Sequence, residues 1–246
     1  MNPYKVFDAG DGARRIMEND MVSAYLVCGA ERALLVDTGL GTGDLAGIVR
    51  SLTALPLTVV CTHADPDHAG GIAQFDEVGM HPAEFAYHLH GGPRGAEHAE
   101  AAAETADRLR PVWEGDVFDL GGGTALEAVL SPGHTPGSLA LLDRARRAIY
   151  TGDTISTSPI FMFGAGRDFR AYIASLEKLE GLRGAFDVCW PAHGEAPQDA
   201  GRIAALKAFA GKVLRGEAEG GPLPKGMALE YPAKLYVGKD AAFLAD

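Results

Sequence analysis

Short apolar runs separated by turn residues dominate the first third of the chain. Val22 to Cys28 (VSAYLVC) and Ala33 to Asp37 (ALLVD) are apolar, strand-forming stretches, and residues 29–32 between them carry a hairpin signal. From Asp44 to Thr53 the period changes, with Leu45, Ile48, Val49 and Leu52 recurring at helical spacing. Leu57 to Thr62 (LTVVCT) is a continuous apolar run, as in a sheet covered on both faces, and it empties into His63. Further strands are predicted to end at Leu130 and to span Ser138 to Leu142, Ala148 to Tyr150 and Asp187 to Trp190. Arg167 to Leu182 predicts an amphipathic helix, with Phe169, Tyr172, Ile173, Leu176 and Leu179 on one stripe. A helix at about 199–216 and an edge strand at 229–237 complete the pattern.

Residues 81–111 interrupt this alternation. They are rich in Ala, Glu and His and are broken by Gly91-Gly92-Pro93. The expectation is two helices, at about 82–90 and 95–109, inserted as a lid. His81, His88, His90 and His98 read as solvated helix positions, because none forms a ligand pair on one helix face with a third partner nearby. There are no repeats or low-complexity tracts, and the chain reads as a single α/β domain over residues 1–246.

Composition narrows the classes of partner. The 246 residues are 47% hydrophobic and 22% charged, as in an ordinary globular chain able to bury a large core. A net charge of −11 argues against nucleic acid or an anionic membrane and leaves a small-molecule substrate as the expectation. MNPYKVFDAGDG has neither the basic start nor the apolar core of a signal peptide, and no apolar stretch is long enough to span a bilayer. Cys28, Cys61 and Cys189 are odd in number and lie in apolar runs, so they are read as reduced, buried thiols in a cytoplasmic protein. The oligomeric state is left open.

The chemistry-bearing residues cluster at strand ends. His63, Asp65, Asp67 and His68 crowd THADPDHAGG, His134 lies in SPGHTPGS, Asp153 in YTGD and His193 in WPAHG. Isolated Asp and His are commonplace in loops, where they cap helices and close turns. Three carboxylates gathered with four imidazoles need cations between them, because like charges at close range repel. Imidazole nitrogen and carboxylate oxygen are the donors that borderline and hard divalent ions prefer. Rival motifs fail. GLGTGD at 39–44 follows a strand, but Asp44 stands where a dinucleotide loop needs its third glycine. No G-x-S-x-G elbow or Walker loop is present.

These residues carry a resemblance to the metallo-β-lactamase superfamily. His63, Asp67 and His68 match its His-x-His-x-Asp-His box, His134, Asp153 and His193 match its later ligands, and Asp37-Thr38-Gly39 matches its early turn. The resemblance implies a four-layer αββα sandwich and two divalent cations, zinc by family. It places His63, Asp65 and His134 on the first cation and Asp67, His68 and His193 on the second, with Asp153 bridging. Asp37 and Thr38 would hold a ligand histidine from behind. The expected reaction is hydrolysis of an ester, thioester or lactone-type carbonyl by a metal-bridging hydroxide, with Asp67 as catalytic residue. TGDTIS and DFRAYIASLEKL resemble parts of hydroxyacylglutathione hydrolases.

Asp65 is the departure, since the usual member has histidine there. A third carboxylate makes the centre more neutral and richer in oxygen, which favours iron or manganese relative to zinc. Its shorter side chain is also expected to weaken the first site or leave it vacant. Flavodiiron proteins resemble this variant, which keeps two further readings open. One is an iron-dependent redox enzyme of the same fold, of the persulfide dioxygenase or diiron reductase type. The other is a metal-binding protein without turnover. Phe161, Met162 and Phe163 are read evenly as pocket wall or as core.

Overall fold

The computed structural model describes residues 2–89, 103–223, 227 and 232–246. Its first sheet runs in chain order through β1 (Tyr4–Asp8), β2 (Ala13–Glu18), β3 (Val22–Cys28), β4 (Ala33–Val36), β5 (Leu57–Val60), β6 (Val78–Met80) and β7 (Leu109–Pro111). β1 to β4 form an antiparallel meander, whereas β4 to β7 pair in parallel. The second sheet contains β8 (Val117–Gly121), β9 (Thr124–Leu130), β10 (Leu139–Asp143), β11 (Ala148–Gly152), β13 (Val188–Pro191) and β14 (Gln198–Asp199), in the order β14-β13-β11-β10-β9-β8. Three short strands, β12 (Ile160–Met162), β15 (Lys234–Val237) and β16 (Ala242–Ala245), make a third sheet with β16 in the middle.

Side-chain alternation builds the layers. Along β3 and β4, Tyr25, Val27, Leu34 and Val36 point between the sheets and meet Leu126, Ala128, Leu139, Leu141 and Tyr150 of the second sheet. Their neighbours Ala24, Leu26, Ala33 and Leu35 face the other way, onto Leu45 and Val49 of helix α1 (Leu45–Leu52). On the outer face of the second sheet, Ala140, Leu142 and Ile149 pack against Tyr172, Leu176 and Leu179 of a long helix, Phe169–Gly181. Ile203 and Leu206 of a second helix, Arg202–Leu214, join the same layer. The result is the expected αββα sandwich. Each fully buried aliphatic side chain contributes about 1.5–3 kcal/mol, so a one-residue slip in β4 would forfeit two cores at once.

Most strand expectations agree with the structure to within a residue or two. Strands β1 and β2 were not anticipated, because β1 is exposed along four of its five residues and lacks an apolar alternation. The segment 81–111 departs further from expectation. Helix α2 (Pro66–Ala69) is a single turn, and α3 (Ala83–Leu89) matches the first expected lid helix. The second, 95–109, lies partly outside the described residues, and its end is a 3-10 turn at Ala106–Arg108 leading into strand β7. That strand is hydrogen-bonded to β6, so the end of the segment belongs to the first sheet and is not a lid. The long helices, which follow β12 and β14, are α4 (Phe169–Gly181) and α5 (Arg202–Leu214). Asp168 caps α4 by accepting from the Arg170 and Ala171 amides, so Arg167 lies before the helix rather than in it.

Candidate metal centre

The carboxyl ends of β4, β5, β9, β11 and β13 open on one edge of the sandwich. The loops leaving them carry Asp37, His63 to His68, His134, Asp153 and His193. Tight turns hold these loops. Asp37 adopts φ +65°, and a Cβ on Gly71 would lie 2.3 Å from the Thr38 carbonyl oxygen, so the box can close on the β4 turn only with glycine there.

All seven predicted ligands come together, in three adjoining groups. His63, Asp65 and His134 form one, His63, His68 and Asp153 the next, and Asp67, His68 and His193 the third; within each group the candidate donor atoms lie within 4.8 Å of one another. Asp153 straddles the cluster. Its Oδ1 lies 3.3 Å from His68 Nε2 and 3.4 Å from His193 Nε2, while its Oδ2 lies 3.5 Å from His134 Nε2. Asp67 Oδ2 is 3.1 Å from His193 Nε2 and 3.9 Å from His68 Nε2.

The outer partners of the imidazoles decide where their protons sit. His68 Nδ1 donates to Asp37 Oδ2 at 2.9 Å, His134 Nδ1 to the Phe161 carbonyl at 2.9 Å, and His193 Nδ1 to the Met21 carbonyl at 2.7 Å. The Thr62 hydroxyl has one proton, which goes to Asp37, and so accepts from His63 Nδ1 at 3.0 Å. Each neutral ring therefore turns a bare Nε2 lone pair inward. His63 Nε2 and His134 Nε2 face each other at 3.2 Å. His68 Nε2 and Asp153 Oδ1 are buried and make no hydrogen bond among the described residues. Facing acceptors of this kind repel unless a cation lies between them. The donor set and the orphaned atoms thus fit divalent ions.

The electrostatics point the same way. Burial opposes a charge on His193, yet Asp153 and Asp67 push its pKa up to about 9. Burial likewise opposes a charge on His68, and Asp153, Asp37 and Asp67 overcome it to raise the pKa well above the usual range. His63 moves in the other direction, lowered by burial and by His68. Burial would raise the Asp153 pKa, but His193 and His68 hold it well below the usual carboxylate value. The field inside the cluster favours positive charge, and a divalent ion entering it displaces protons.

Asp65 stands within the first group despite its shorter side chain, and it has a counter-ion. It does reach the first group, with Oδ2 at 3.2 Å from His134 Nε2 and 3.5 Å from His63 Nε2. Nor is it an uncompensated charge, because Arg167 Nη2 bonds the same Oδ2 at 2.6 Å. The Tyr87 hydroxyl donates to Asp65 Oδ1 at 2.9 Å. Burial would raise the Asp65 pKa, but Arg167 beside it, with His134 and His63, keeps the carboxyl well below its usual range.

Arg167, Tyr87 and Glu84 were not singled out in the sequence. Glu84 is fully buried and accepts from the Ala64 amide at 2.9 Å and the Gly137 amide at 2.6 Å, tying the His63 loop to the His134 loop. It stands in a short Ala/Glu-containing helix, a setting in which acids are usually solvated. Asp37 and Thr38 do stand behind His68, Thr38 donating to the His68 carbonyl at 2.9 Å. Cys61 is buried, bonds the His68 carbonyl through Sγ and joins none of the candidate groups. His81 stacks edge-on against Trp113, His88 bonds Thr105, and His90 and His98 lie outside the described residues. Of the Phe161 trio, Met162 and Phe163 are buried and Phe161 is exposed.

Comparison with known proteins agrees with the geometry. The model of the metallo-beta-lactamase superfamily matches residues 17–193, and the chain belongs to that superfamily of hydrolases. It is 31% identical over 202 residues to the acyl-coenzyme A thioesterase MBLAC2 of Gallus gallus, spanning 69% of this chain and 71% of that protein. It is also 31% identical over 178 residues to an atrochrysone carboxyl ACP thioesterase of Aspergillus fumigatus, spanning 68% of this chain and 48% of that one. Among solved structures, TTHA1623 in a di-iron-bound form superposes with a TM-score of 0.59 at 27% identity, over 75% of this chain and 92% of its own. Among the described residues no helix is long and apolar enough to cross a membrane.

Proposed function

We propose that this chain is a two-cation thioesterase acting on acyl groups carried by coenzyme A or by a carrier-protein pantetheine. The observation that carries the reading is the inward convergence of four Nε2 lone pairs on Asp65, Asp67 and Asp153. His63, Asp65 and His134 would hold one cation, and Asp67, His68 and His193 the other, with Asp153 between them. Bound there, the pair would supply Lewis acidity for a carbonyl and hydroxide at neutral pH.

The chain's own groups do the rest. Asp37, Thr62 and the Phe161 and Met21 carbonyls keep the four imidazoles in the tautomer that presents Nε2. Asp67 is the most open of the three acids, its side chain 31% exposed against 13% for Asp153 and 10% for Asp65. It is therefore the acid placed to orient a water molecule and take its proton. Met21 and Phe161 also expose apolar side chains beside the carbonyls that anchor His193 and His134. An apolar rim of this kind suits an acyl chain. The thioesterase relatives favour the thioester over the ester or lactone.

The test is a panel of acyl-CoA, simple ester, lactone and β-lactam substrates, with metal analysis of the purified protein. Acyl-CoA hydrolysis should dominate, vanish on chelation and return with zinc, manganese or iron. Asp67→Ala should lower kcat by about 10²–10⁴-fold in a folded protein. A protein carrying two metals per chain that leaves every thioester intact would overturn the reading. An anaerobic optical spectrum showing a reducible iron pair with no hydrolysis would favour the redox alternative.

A further inference from the structure

Among the described residues, Arg167 is the one in contact with the cluster that brings a fixed positive charge to it. Its side chain is 4% exposed, and its Nε and Nη1 find no acceptor among the described residues. Its guanidinium lies 5.6 Å from the Tyr87 ring centroid, and Tyr87 in turn bonds Asp65. Burying a guanidinium with two nitrogens unpaired is costly, and among the described residues the only anion bonded to it is Asp65 Oδ2, 2.6 Å away. That oxygen is also the one facing His63 Nε2 and His134 Nε2. The atom that would ligate a first-group cation is therefore already shared with a permanent cation.

We propose that Arg167 sets the cation affinity of the first group, weakening it by cancelling the charge of Asp65 and sharing its lone pairs, so that the Asp65–Arg167 pair acts as a neutral ligand would. The three carboxylates of the cluster with Arg167 carry the same net charge as two carboxylates alone, and the oxygen-rich bias expected from Asp65 is offset. Tyr87 takes the other Asp65 oxygen and fixes the carboxylate between arginine and cluster. Among the described residues the second group has no such counter-ion: Asp67 pairs with His193 and His68. The two cations are consequently held with unequal strength, the one beside Asp65 being the weaker.

This proposal rests on the two-cation reading, and its test does not depend on turnover. Zinc is titrated into metal-free protein against a chromophoric chelator, and the two affinities are read separately. Arg167→Met should tighten the weaker affinity about ten-fold or more, because a fixed charge next to the ligand oxygen is lost. Arg167→Lys, which keeps the charge, should stay within about three-fold of the parent. Asp65→Asn should weaken that site, and Asp65→Asn with Arg167→Met should bind more tightly than Asp65→Asn alone. A merely structural arginine would give no such reversal. Unchanged or weaker zinc binding in folded Arg167→Met overturns the proposal. If that variant does not fold, equal affinities for Asp65→Asn and the double variant overturn it. Failure of the parent to bind zinc, manganese or iron removes the metal centre itself, and this proposal with it.

Discussion

His68 donates its Nδ1 proton to a carboxylate, Asp37, at 2.9 Å, whereas His63, whose ring centroid is 3.9 Å away, donates to the Thr62 hydroxyl at 3.0 Å. The same contrast runs through both halves of the cluster. Around His68 the outer partner is anionic, which makes the imidazole a stronger base and ligand, and the acid of that half, Asp67, is open to solvent. Around His63 the outer partner is neutral, and the acid of that half, Asp65, is pinned by Arg167 and Tyr87. One set of residue types therefore yields two electrostatically different halves, one basic and open, the other neutralised and rigid. What differs is the neighbours, not the candidate ligands.

Glu84 offers the way to break the contrast, because it ties the two loops together and belongs to neither half. Glu84→Ala leaves the buried Ala64 and Gly137 amides without an acceptor, at about 1–3 kcal/mol each. Urea unfolding should show a loss of about 3 kcal/mol, and both zinc affinities should fall together. A variant of parental stability would mean that the loops hold without the clamp. Asp37→Ala sharpens the contrast. It should cost the His68 half about 10–100-fold in zinc affinity, with the His63 half following more weakly through Thr62. Equal losses in both halves would show that Asp37 acts only on the shape of the turn. Tyr87→Phe should have the smallest effect, removing one hydrogen bond to Asp65 at about 1 kcal/mol. It should disturb the weaker zinc affinity by less than about ten-fold and leave the stronger one alone. A shift in the stronger affinity would argue against the division of the cluster.

Where the chain could be read directly, local rules sufficed. The apolar runs VSAYLVC and ALLVD and the helical spacing in DFRAYIASLEKL located strands of the first sheet and α4, because runs and spacing of this kind are local properties of the chain. Strand β1 escaped notice because a short exposed edge strand carries too little apolar pattern, and β16 because four residues are too few to show a period. The end of the 81–111 segment shows a different failure, since Leu109–Pro111 becomes a strand by pairing with β6, a contact that helical spacing cannot reveal.

The amino-acid sequence by itself determined the layered fold and the seven side chains that converge at its edge. A cluster of imidazoles and carboxylates requires particular residue types, and those types stand out where they follow strands. Only the tertiary structure decided how each of those side chains is charged and held. Arg167 meets Asp65 across 102 positions of chain, and Glu84 reaches Gly137 across 53. Ion pairs and buried hydrogen bonds of this kind act over a few ångströms of space and have no period along the sequence, so the folded chain alone brings them into view.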